Sequence, residues 1–180
     1  MKRVLFSVFT LLMCMTANAG ITFSADKVKA VYLVRFANFI HWPQEESFSQ
    51  INYCVMGESK VTYTLKTLLV EHQVRNISVV YRQIENVQSL SQCQLVYFTP
   101  EAYSHLNNDR GSTISLDRVG LVTVSDQYAF AKTEGMVEFR EKSGRIVPVI
   151  NIDNAAKNRI TIRSQLLRIS KLISEPQGDE

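Results

Sequence analysis

A helical pattern of apolar and polar positions runs from Lys27 to Pro43. Apolar residues recur there at intervals of three and four, a spacing that places them along one broad face of a helix. These residues are Val28, Val31, Tyr32, Phe36, Phe39 and Ile40. We therefore expect a mostly buried helix. Pro43 disfavours helical backbone at Trp42, so the helix is predicted to end there.

Three further residues would form a second stripe on this helix. They are Arg35, Asn38 and Trp42, which a helix persisting to Trp42 would stack on one side. Periodicity alone favours a core helix in which Trp42 is a packing residue. The alternative is that an aromatic ring, a cation and an amide at a helix end contact a ligand or a partner protein.

Farther along the chain, short apolar runs alternate with helical patterns. The runs of strand length are Ile51–Met56, Ile77–Tyr81, Cys93–Phe98 and Gly120–Ser125. Helical patterns occur at Lys60–Val70 and Thr99–Asn108, with a weaker one at Ile84–Leu90 and a short helix or turn at Asp126–Lys132. This alternation predicts parallel strands joined by crossover helices, which is an α/β fold.

The helix predicted at Lys60–Val70 has a clear start and a clear apolar face. Ser59 precedes it and is a residue type that caps helix starts. The residues predicted to face the core are Val61, Leu65, Leu68 and Leu69.

The pattern changes after the fourth predicted strand. Met136–Arg140 and Arg145–Ile150 flank a four-residue turn, which predicts an antiparallel hairpin. Pro148 has no backbone N–H and indicates an edge or a bulge in the second of these strands. Two helices are expected after the hairpin, at Ile152–Asn158 and Arg163–Ser174, the latter with an apolar stripe of Leu166, Leu167, Ile169 and Ile173. The polar tail at residues 175–180 is predicted to be disordered.

The first residues have the pattern of a cleaved signal peptide. Lys2 and Arg3 precede an almost wholly apolar run, and Ala17–Ala19 has the small-x-small form of a cleavage site. The apolar run is too short to cross a membrane as a helix. We predict a signal peptide at residues 1–19, export from the cytoplasm, and a single α/β domain at residues 20–174.

Charge balance narrows the range of partners. The whole chain carries a formal net charge of +3, and removal of Lys2 and Arg3 leaves 18 basic residues against 17 acidic ones. Nonspecific nucleic-acid binding needs an excess of cations on one face, so no nucleic-acid partner is expected. The sequence has no second apolar run of spanning length, and direct membrane insertion is not expected either.

Cleavage of the signal peptide removes Cys14 and leaves Cys54 and Cys93. Two cysteines in an exported protein most often pair, because the compartments outside the cytoplasm are oxidising. A redox pair and a metal site are the alternatives, although the chain has no C-x-x-C motif and its three histidines lack metal-ligand spacing. A structural disulfide is the favoured prediction.

Motifs for catalysis and for cofactor binding are missing from the sequence. No Gly-rich phosphate loop follows a predicted strand, and no G-x-S-x-G turn supplies a nucleophile. His41, His72 and His105 lie in separate segments that nothing in the sequence brings together. We therefore expect no enzymatic activity and no bound cofactor or metal.

Short motifs spread along the mature chain carry a resemblance to a known family. In chain order they are Lys29-Ala30-Val31-Tyr32-Leu33 with Phe36, Phe39 and Trp42-Pro43; Thr123-Val124-Ser125-Asp126 with Phe130-Ala131 and Gly135-Met136; and Ile150-Asn151-Ile152 with Ser164-Gln165-Leu166-Leu167. Together with the signal peptide, this order resembles the YfiR family of exported bacterial proteins over essentially the whole mature sequence. Cys54 and Cys93 fall where the first disulfide of the family would lie, and a second pair known in some members has no counterpart here.

The resemblance implies a Rossmann-like, mostly parallel sheet flanked by helices in a periplasmic protein that is often a homodimer and has no known catalysis. Members with a role repress an inner-membrane diguanylate cyclase by binding its periplasmic sensor domain, which limits cyclic di-GMP and biofilm formation. This chain would be such a repressor. Asn151, in the third motif, joins Arg35, Asn38 and Trp42 as a candidate residue for binding a ligand or a partner.

Two other hypotheses belong to different functional classes. The first is a periplasmic module that binds a small aromatic or nucleotide-like ligand and serves another sensor, such as a histidine kinase. In that case Arg35, Asn38 and Trp42 would line the ligand site. The second is an exported enzyme of unrecognised type, which would require a pocket with convergent polar groups.

Overall fold

The computed structural model describes residues 24–108 and 115–174. The predicted signal peptide at residues 1–19 and the predicted disordered tail at residues 175–180 lie outside the described residues. The described α-helices are α1 (Ala25–Phe39), α2 (Lys60–Leu68), α3 (Pro100–Asn108), α4 (Ile152–Lys157) and α5 (Ser164–Arg168). The described strands are β1 (Ile40–His41), β2 (Gln50–Met56), β3 (Gln73–Val74), β4 (Ile77–Ile84), β5 (Leu95–Phe98), β6 (Val122–Ser125), β7 (Val137–Lys142), β8 (Arg145–Asn151), β9 (Thr161–Ile162) and β10 (Lys171–Ile173).

Eight of these strands form one sheet in the order β10-β8-β7-β6-β5-β2-β4-β3. Its middle strands, β4, β2, β5, β6 and β7, are mutually parallel. Taken in chain order, these five strands have the spatial order 2-1-3-4-5, which is one of the two common orders of doubly wound α/β folds. The predicted fold class, a mostly parallel sheet flanked by helices, is confirmed.

The predicted C-terminal hairpin is also confirmed. β7 and β8 pair antiparallel in continuous register from Val137 opposite Ile150 to Lys142 opposite Arg145. Pro148 pairs with Phe139 inside that register, so no bulge interrupts the hairpin. On the edge of β8 that faces away from β7, β10 pairs only with residues 149–151. Pro148 lies just outside that pairing, so its missing N–H costs no hydrogen bond with β10.

The first helix is shorter than predicted. α1 ends at Phe39, and the next two residues form β1, which pairs antiparallel with β9. Arg75 explains why the helix stops before Trp42. Its guanidinium donates hydrogen bonds to the carbonyl oxygens of Ala37 and Ile40, at 2.7 and 3.1 Å. These bonds satisfy acceptors that the last turn of a helix leaves open.

The prediction of a long C-terminal helix at Arg163–Ser174 is wrong. Five residues form α5, and the chain then extends as β10, which pairs parallel with β8. Residues 149–151 of β8 present backbone donors and acceptors at an open sheet edge, and pairing with them outweighs a local helical pattern. Leu166 is buried as predicted, whereas Ile169 is 55% exposed.

The connection between β4 and β5 differs from its prediction as well. The segment predicted to be weakly helical at Ile84–Leu90 begins with the last residue of β4 and continues as a 3-10 helix at Val87–Gln92. The short strand β3, which precedes β4, was not predicted from the sequence either. The turn between β3 and β4 places Arg75 and Asn76 at positive φ, of 51° and 65°, as a two-residue hairpin turn requires.

The core has one layer on each face of the sheet. On one face, α1 and α2 cover the central strands, and Leu33 and Phe36 pack against Tyr53 and Tyr97 in the same cluster. The other face is covered by α3 and the 3-10 helix at Val87–Gln92, in a second cluster around Phe98. Both faces of the parallel strands are therefore buried, which explains their continuous apolar runs.

Cys54 and Cys93 form the predicted disulfide. The bond joins the middle of β2 to the segment that enters β5, and both cysteines are buried in the second cluster. The two residues are 39 positions apart. On the chain-entropy model, closing a loop of that length removes about 4 kcal/mol of freedom from the unfolded chain.

Candidate functional site

An apolar groove lies on the outer side of the domain between α1 and α2. It has a volume of about 560 Å³. Its lining consists of Lys27, Val28, Val31, Tyr32 and Arg35 from α1 and of Thr64 and Leu68 from α2. Val31 and Leu68 are 41% and 40% exposed. Charged and polar side chains, those of Lys27, Arg35 and Thr64, border these apolar residues.

The sequence of α1 forms this groove because the helix carries apolar residues on more than one face. Its fully buried residues are Ala30, Leu33, Phe36 and Ala37. Val28, Val31 and Tyr32 lie beside that buried stripe and line the groove. The ring of Tyr32 packs 5.8 Å from the ring of Phe139, which anchors the floor of the groove to the sheet.

The second helix supplies the opposite wall. Ser59 and Thr62 form a capping box, in which each side chain bonds the backbone N–H of the other residue, at 2.9 and 3.3 Å. Leu65 and Leu69 face the core as predicted, but Leu68 does not. Leu68 lies on the flank of the buried stripe, so its side chain lines the groove instead.

Two cations, Lys27 and Arg35, stand along the rim. Neither side chain makes a hydrogen bond or an ion pair with any of residues 24–108 and 115–174. They are eight residues apart in α1, which corresponds to about 12 Å along a helix. No described acidic residue lines the groove. The described lining of the groove therefore carries two positive charges and no negative one, while Lys27 also borders the neighbouring groove that Asp26 and Glu58 line.

A third cation of α1, Lys29, is bound within the fold. Its ammonium group pairs with Oδ2 of Asp126, while Oδ1 of the same carboxylate accepts a hydrogen bond of 2.6 Å from the hydroxyl of Tyr97. Burial raises the pKa of Tyr97, and the negative charge of Asp126 raises it further. The phenol therefore stays protonated and donates. This cluster joins the first and second family motifs through the carboxyl ends of β5 and β6.

A larger, polar groove lies at the carboxyl edge of the sheet. It has a volume of about 1110 Å³ and lies beside the starts of α1 and α2 and the end of β4. Its lining includes Asp26, Glu58, Lys60, Lys66, Tyr63 and Tyr81. The ammonium group of Lys66 lies 5.9 Å from the centre of the Tyr81 ring, a cation–π distance. Charges of both signs line this groove.

Gly57 follows β2 at the crevice where doubly wound sheets often bind ligands. That crevice lies between the carboxyl ends of β2 and β5, where the strand order reverses. Gly57 has φ of +90°, and a Cβ there would lie 2.2 Å from Oγ1 of Thr99. Oγ1 of Thr99 in turn accepts a hydrogen bond from the backbone N–H of Ala102. The backbone of residue 57 therefore approaches Thr99 so closely that only glycine fits there.

At the opposite edge, Trp42 is a part of the core. It is 4% exposed, and its indole N–H donates a hydrogen bond of 3.0 Å to the carbonyl oxygen of Gln94. Its backbone N–H donates to the carboxylate of Glu45, which also pairs with Arg75. Burial on its own would raise the pKa of Glu45, but the hydrogen bonds from Arg75 and Trp42 hold it below its ordinary value.

The four predicted binding residues do not come together. Arg35 lines the apolar groove, and Asn38 is exposed farther along the same helix. Trp42 and Asn151 are buried. The side chain of Asn151 caps α4: its Oδ1 accepts from the backbone N–H groups of Asp153 and Asn154, both at 3.0 Å. A binding role for each of these residues remains a prediction.

Sequence reasoning did not select Lys27, Val31 or Leu68 as site residues. A usable signal was present in the number of apolar residues on α1. Val31 and Tyr32 lie three and four positions after Val28, and Arg35 lies four and three positions after them. These residues form a stripe of their own beside the buried one. One buried stripe needs only about three or four residues in every two turns, so the excess pointed to a second contact face.

Two other kinds of site are absent from the described ranges, 24–108 and 115–174. No cluster of three or more His, Cys, Asp or Glu side chains in those ranges could hold a metal ion. None of the helices described there has the length and apolar character needed to cross a membrane.

The described residues form a small doubly wound α/β domain with an open apolar groove between α1 and α2. Residues 26–171 match the YfiR/HmsC-like family, and the chain belongs to that family. The matched range includes both walls of the groove, the disulfide and the partly buried Lys29–Asp126 pair. No individual curated protein shows significant similarity to the chain.

Proposed function

We propose that this protein is a periplasmic regulator that represses an inner-membrane diguanylate cyclase through the cyclase's periplasmic sensor domain. Repression would limit cyclic di-GMP signalling and biofilm formation. The observation that carries the proposal is the family match over residues 26–171. The proposal gives the protein a binding role without catalysis.

Two structural features support this role. The buried Cys54–Cys93 disulfide is a bond that persists in oxidising compartments such as the periplasm. The apolar groove between α1 and α2 offers a contact surface with a cationic rim. Protein interfaces commonly combine an apolar centre with a polar rim of this kind.

Repression by binding has a thermodynamic requirement. The regulator can lower cyclase activity only if it binds the inactive form of the sensor domain more tightly than the active form. A release signal must in turn weaken that difference in affinity. A signal that occupies the surface contacted by the sensor domain, or that changes the shape of that surface, would satisfy this requirement.

The direct test is deletion of the gene in a strain that retains its membrane cyclase. Cyclic di-GMP is expected to rise and to return to its original level when the full chain is supplied. A chain without residues 1–19 should fail to restore repression, because it would not be exported. Unchanged cyclic di-GMP in the deletion strain would contradict the proposal.

We also propose that the mature protein is a homodimer. Sedimentation equilibrium over a range of concentrations would give twice the mass of the mature chain if this is correct. A single species of monomer mass throughout the range would contradict it.

A second candidate function is the binding of a small aromatic or nucleotide-like ligand that serves another sensor, such as a histidine kinase. The polar groove of about 1110 Å³ favours this candidate because it contains the rings of Tyr63 and Tyr81 beside Lys60 and Lys66. Aromatic rings stack on planar ligands, and three cations of the lining (Lys27, Lys60 and Lys66) against two carboxylates (Asp26 and Glu58) favour an anionic group. Calorimetry against a panel of aromatic acids and nucleotides should give saturable heat that Tyr81→Ala removes. No heat across the panel would contradict this candidate.

A further inference from the structure

We infer that the groove between α1 and α2 binds an amphipathic helix of the partner protein, one whose apolar stripe is flanked by acidic residues about two turns apart. The inference rests on the proposed function, because it specifies which surface of this protein the partner contacts and what chemistry the partner presents there.

The walls of the groove favour a helix over an extended strand. Both walls are helices, whose backbone N–H and C=O groups are already paired along their length. An added strand would find no backbone groups to pair with and would leave its own unsatisfied. A helix satisfies its backbone internally and presents apolar side chains at intervals of three and four, which is how helices occupy apolar grooves.

The length of the groove sets the spacing of the partner's residues. Lys27 and Arg35 lie at its two ends, and Val28, Val31 and Tyr32 lie between them. The two cations are separated by about 12 Å along α1, or roughly two turns. Acidic residues about seven or eight positions apart on an opposing helix would reach both of them, with apolar anchors between.

Charge also argues against a second copy of this chain as the occupant. A two-fold dimer would place the same surface patch on both sides of the interface. Lys27 and Arg35 would then face the Lys27 and Arg35 of the other copy, and no acidic residue of the groove lining could offset them. Like charges juxtaposed in an interface disfavour the complex, whereas an acidic partner helix would pair with both cations.

The first experiment measures binding to the full mature chain with two synthetic helical peptides of about 18 residues, or five turns. The probes share an apolar stripe and differ only in carrying two Glu or two Lys residues about eight positions apart. The Glu peptide is expected to bind more tightly, and to lose that advantage in high salt because the charges are screened. Equal affinities of the two peptides, or no saturable binding by the Glu peptide, would overturn the inference.

Variants of the groove sharpen this measurement. Arg35→Glu should lower the affinity for the Glu peptide by about threefold to tenfold and raise the affinity for the Lys peptide. Leu68→Gln should lower the affinity for both peptides, because it removes apolar contact without changing the charge of the groove. Arg168→Glu is the matched control, since Arg168 is exposed on α5, lies outside the groove lining and gives the same change in net charge. An effect of Arg168→Glu equal to that of Arg35→Glu would contradict the assignment of the groove.

The second experiment uses the deletion strain. If deletion raises cyclic di-GMP and the full chain restores it, Arg35→Glu and Leu68→Gln should fail to restore it while Arg168→Glu succeeds. Circular dichroism must show that each variant is folded. Restoration by both groove variants would overturn the inference and leave the proposed function intact. If deletion has no effect on cyclic di-GMP, the proposed function fails, and the peptide measurement alone decides the chemistry of the groove.

Discussion

The groove between α1 and α2 and the edge around Trp42 are two surfaces beside the same helix, and their polar groups are used in opposite ways. At the Trp42 edge, the indole N–H, the Glu45 carboxylate and the Arg75 guanidinium all bond to other parts of the fold. Along the groove, the side chains of Lys27 and Arg35 have no partner among the described residues. The first surface therefore stabilises the domain, whereas the two cations of the second have no bond within the described residues that a partner would have to break.

The largest effect on stability is expected from Trp42→Ala. Truncating a buried aromatic residue to alanine costs about 3–5 kcal/mol, because it removes buried area and leaves a cavity. Urea unfolding followed by circular dichroism would measure the loss. Trp42→Phe, which keeps a ring but has no indole N–H for Gln94, should lose less. If Trp42→Ala kept full stability and lost only repression, Trp42 would belong with the binding surface and the comparison would fail.

The next effect is expected from Lys29→Met, which leaves the carboxylate of Asp126 without its cation. Removing one partner of a buried pair costs about 3–5 kcal/mol, and we expect the lower end because both side chains are 14% exposed. Lys27→Met is the matched control: it makes the same change two residues earlier, at a cation with no partner in the described chain. Equal unfolding midpoints for the two variants would contradict the distinction between bound and free cations on α1.

A smaller loss, of about 2 kcal/mol, is expected from Arg75→Met, which removes charge-assisted hydrogen bonds to Glu45 and to the end of α1. The loss should depend on pH. The pKa of Glu45 is lower in the folded protein than its ordinary value of 4.5, so its contribution to stability is present above that value and is lost as pH falls through the folded pKa.

The measurement is the free energy of unfolding of the wild type and of Arg75→Met at several values of pH. The difference between them should be largest near neutral pH and should shrink below pH 4.5 as Glu45 becomes protonated. His41 lies 4.0 Å from the same carboxylate, so His41→Gln serves as a second reference. A difference that does not change with pH would show that Arg75 acts only through the carbonyl groups of α1.

Much of the fold could be predicted from the sequence because the relevant signals are local. Alternation of apolar runs and helical patterns indicated the parallel sheet, and the turn between residues 140 and 145 indicated the hairpin. The end of α1 could not be predicted in this way, since the group that caps it, Arg75, comes 35 positions after Ile40. β10 was missed for a similar reason: its extended conformation depends on the edge of β8, not on its own pattern.

The candidate site was harder to predict than the fold. Periodicity located α1 and the stripe that contains Arg35, but it could not separate the face that packs on the sheet from the face that lines a groove. That separation depends on where α2 lies relative to α1. The pairing of Lys29 with Asp126 spans 97 positions. The sequence contains no signal that distinguishes Lys29 from Lys27, whose side chain has no partner among the described residues.

The smallest effect on stability is expected from Arg35→Ala. Arg35 is exposed and makes no hydrogen bond or ion pair within the described residues, so the free energy of unfolding should change by less than about 0.5 kcal/mol. Any such small loss of stability would come from removing the aliphatic stem of Arg35, which lies along the groove. Binding of the Glu peptide should nevertheless weaken, because the peptide loses a cation at one end of the groove. A stability loss as large as that of Arg75→Met would mean that Arg35 holds the fold together, and the groove would then have no free cation at that end to attract an acidic helix.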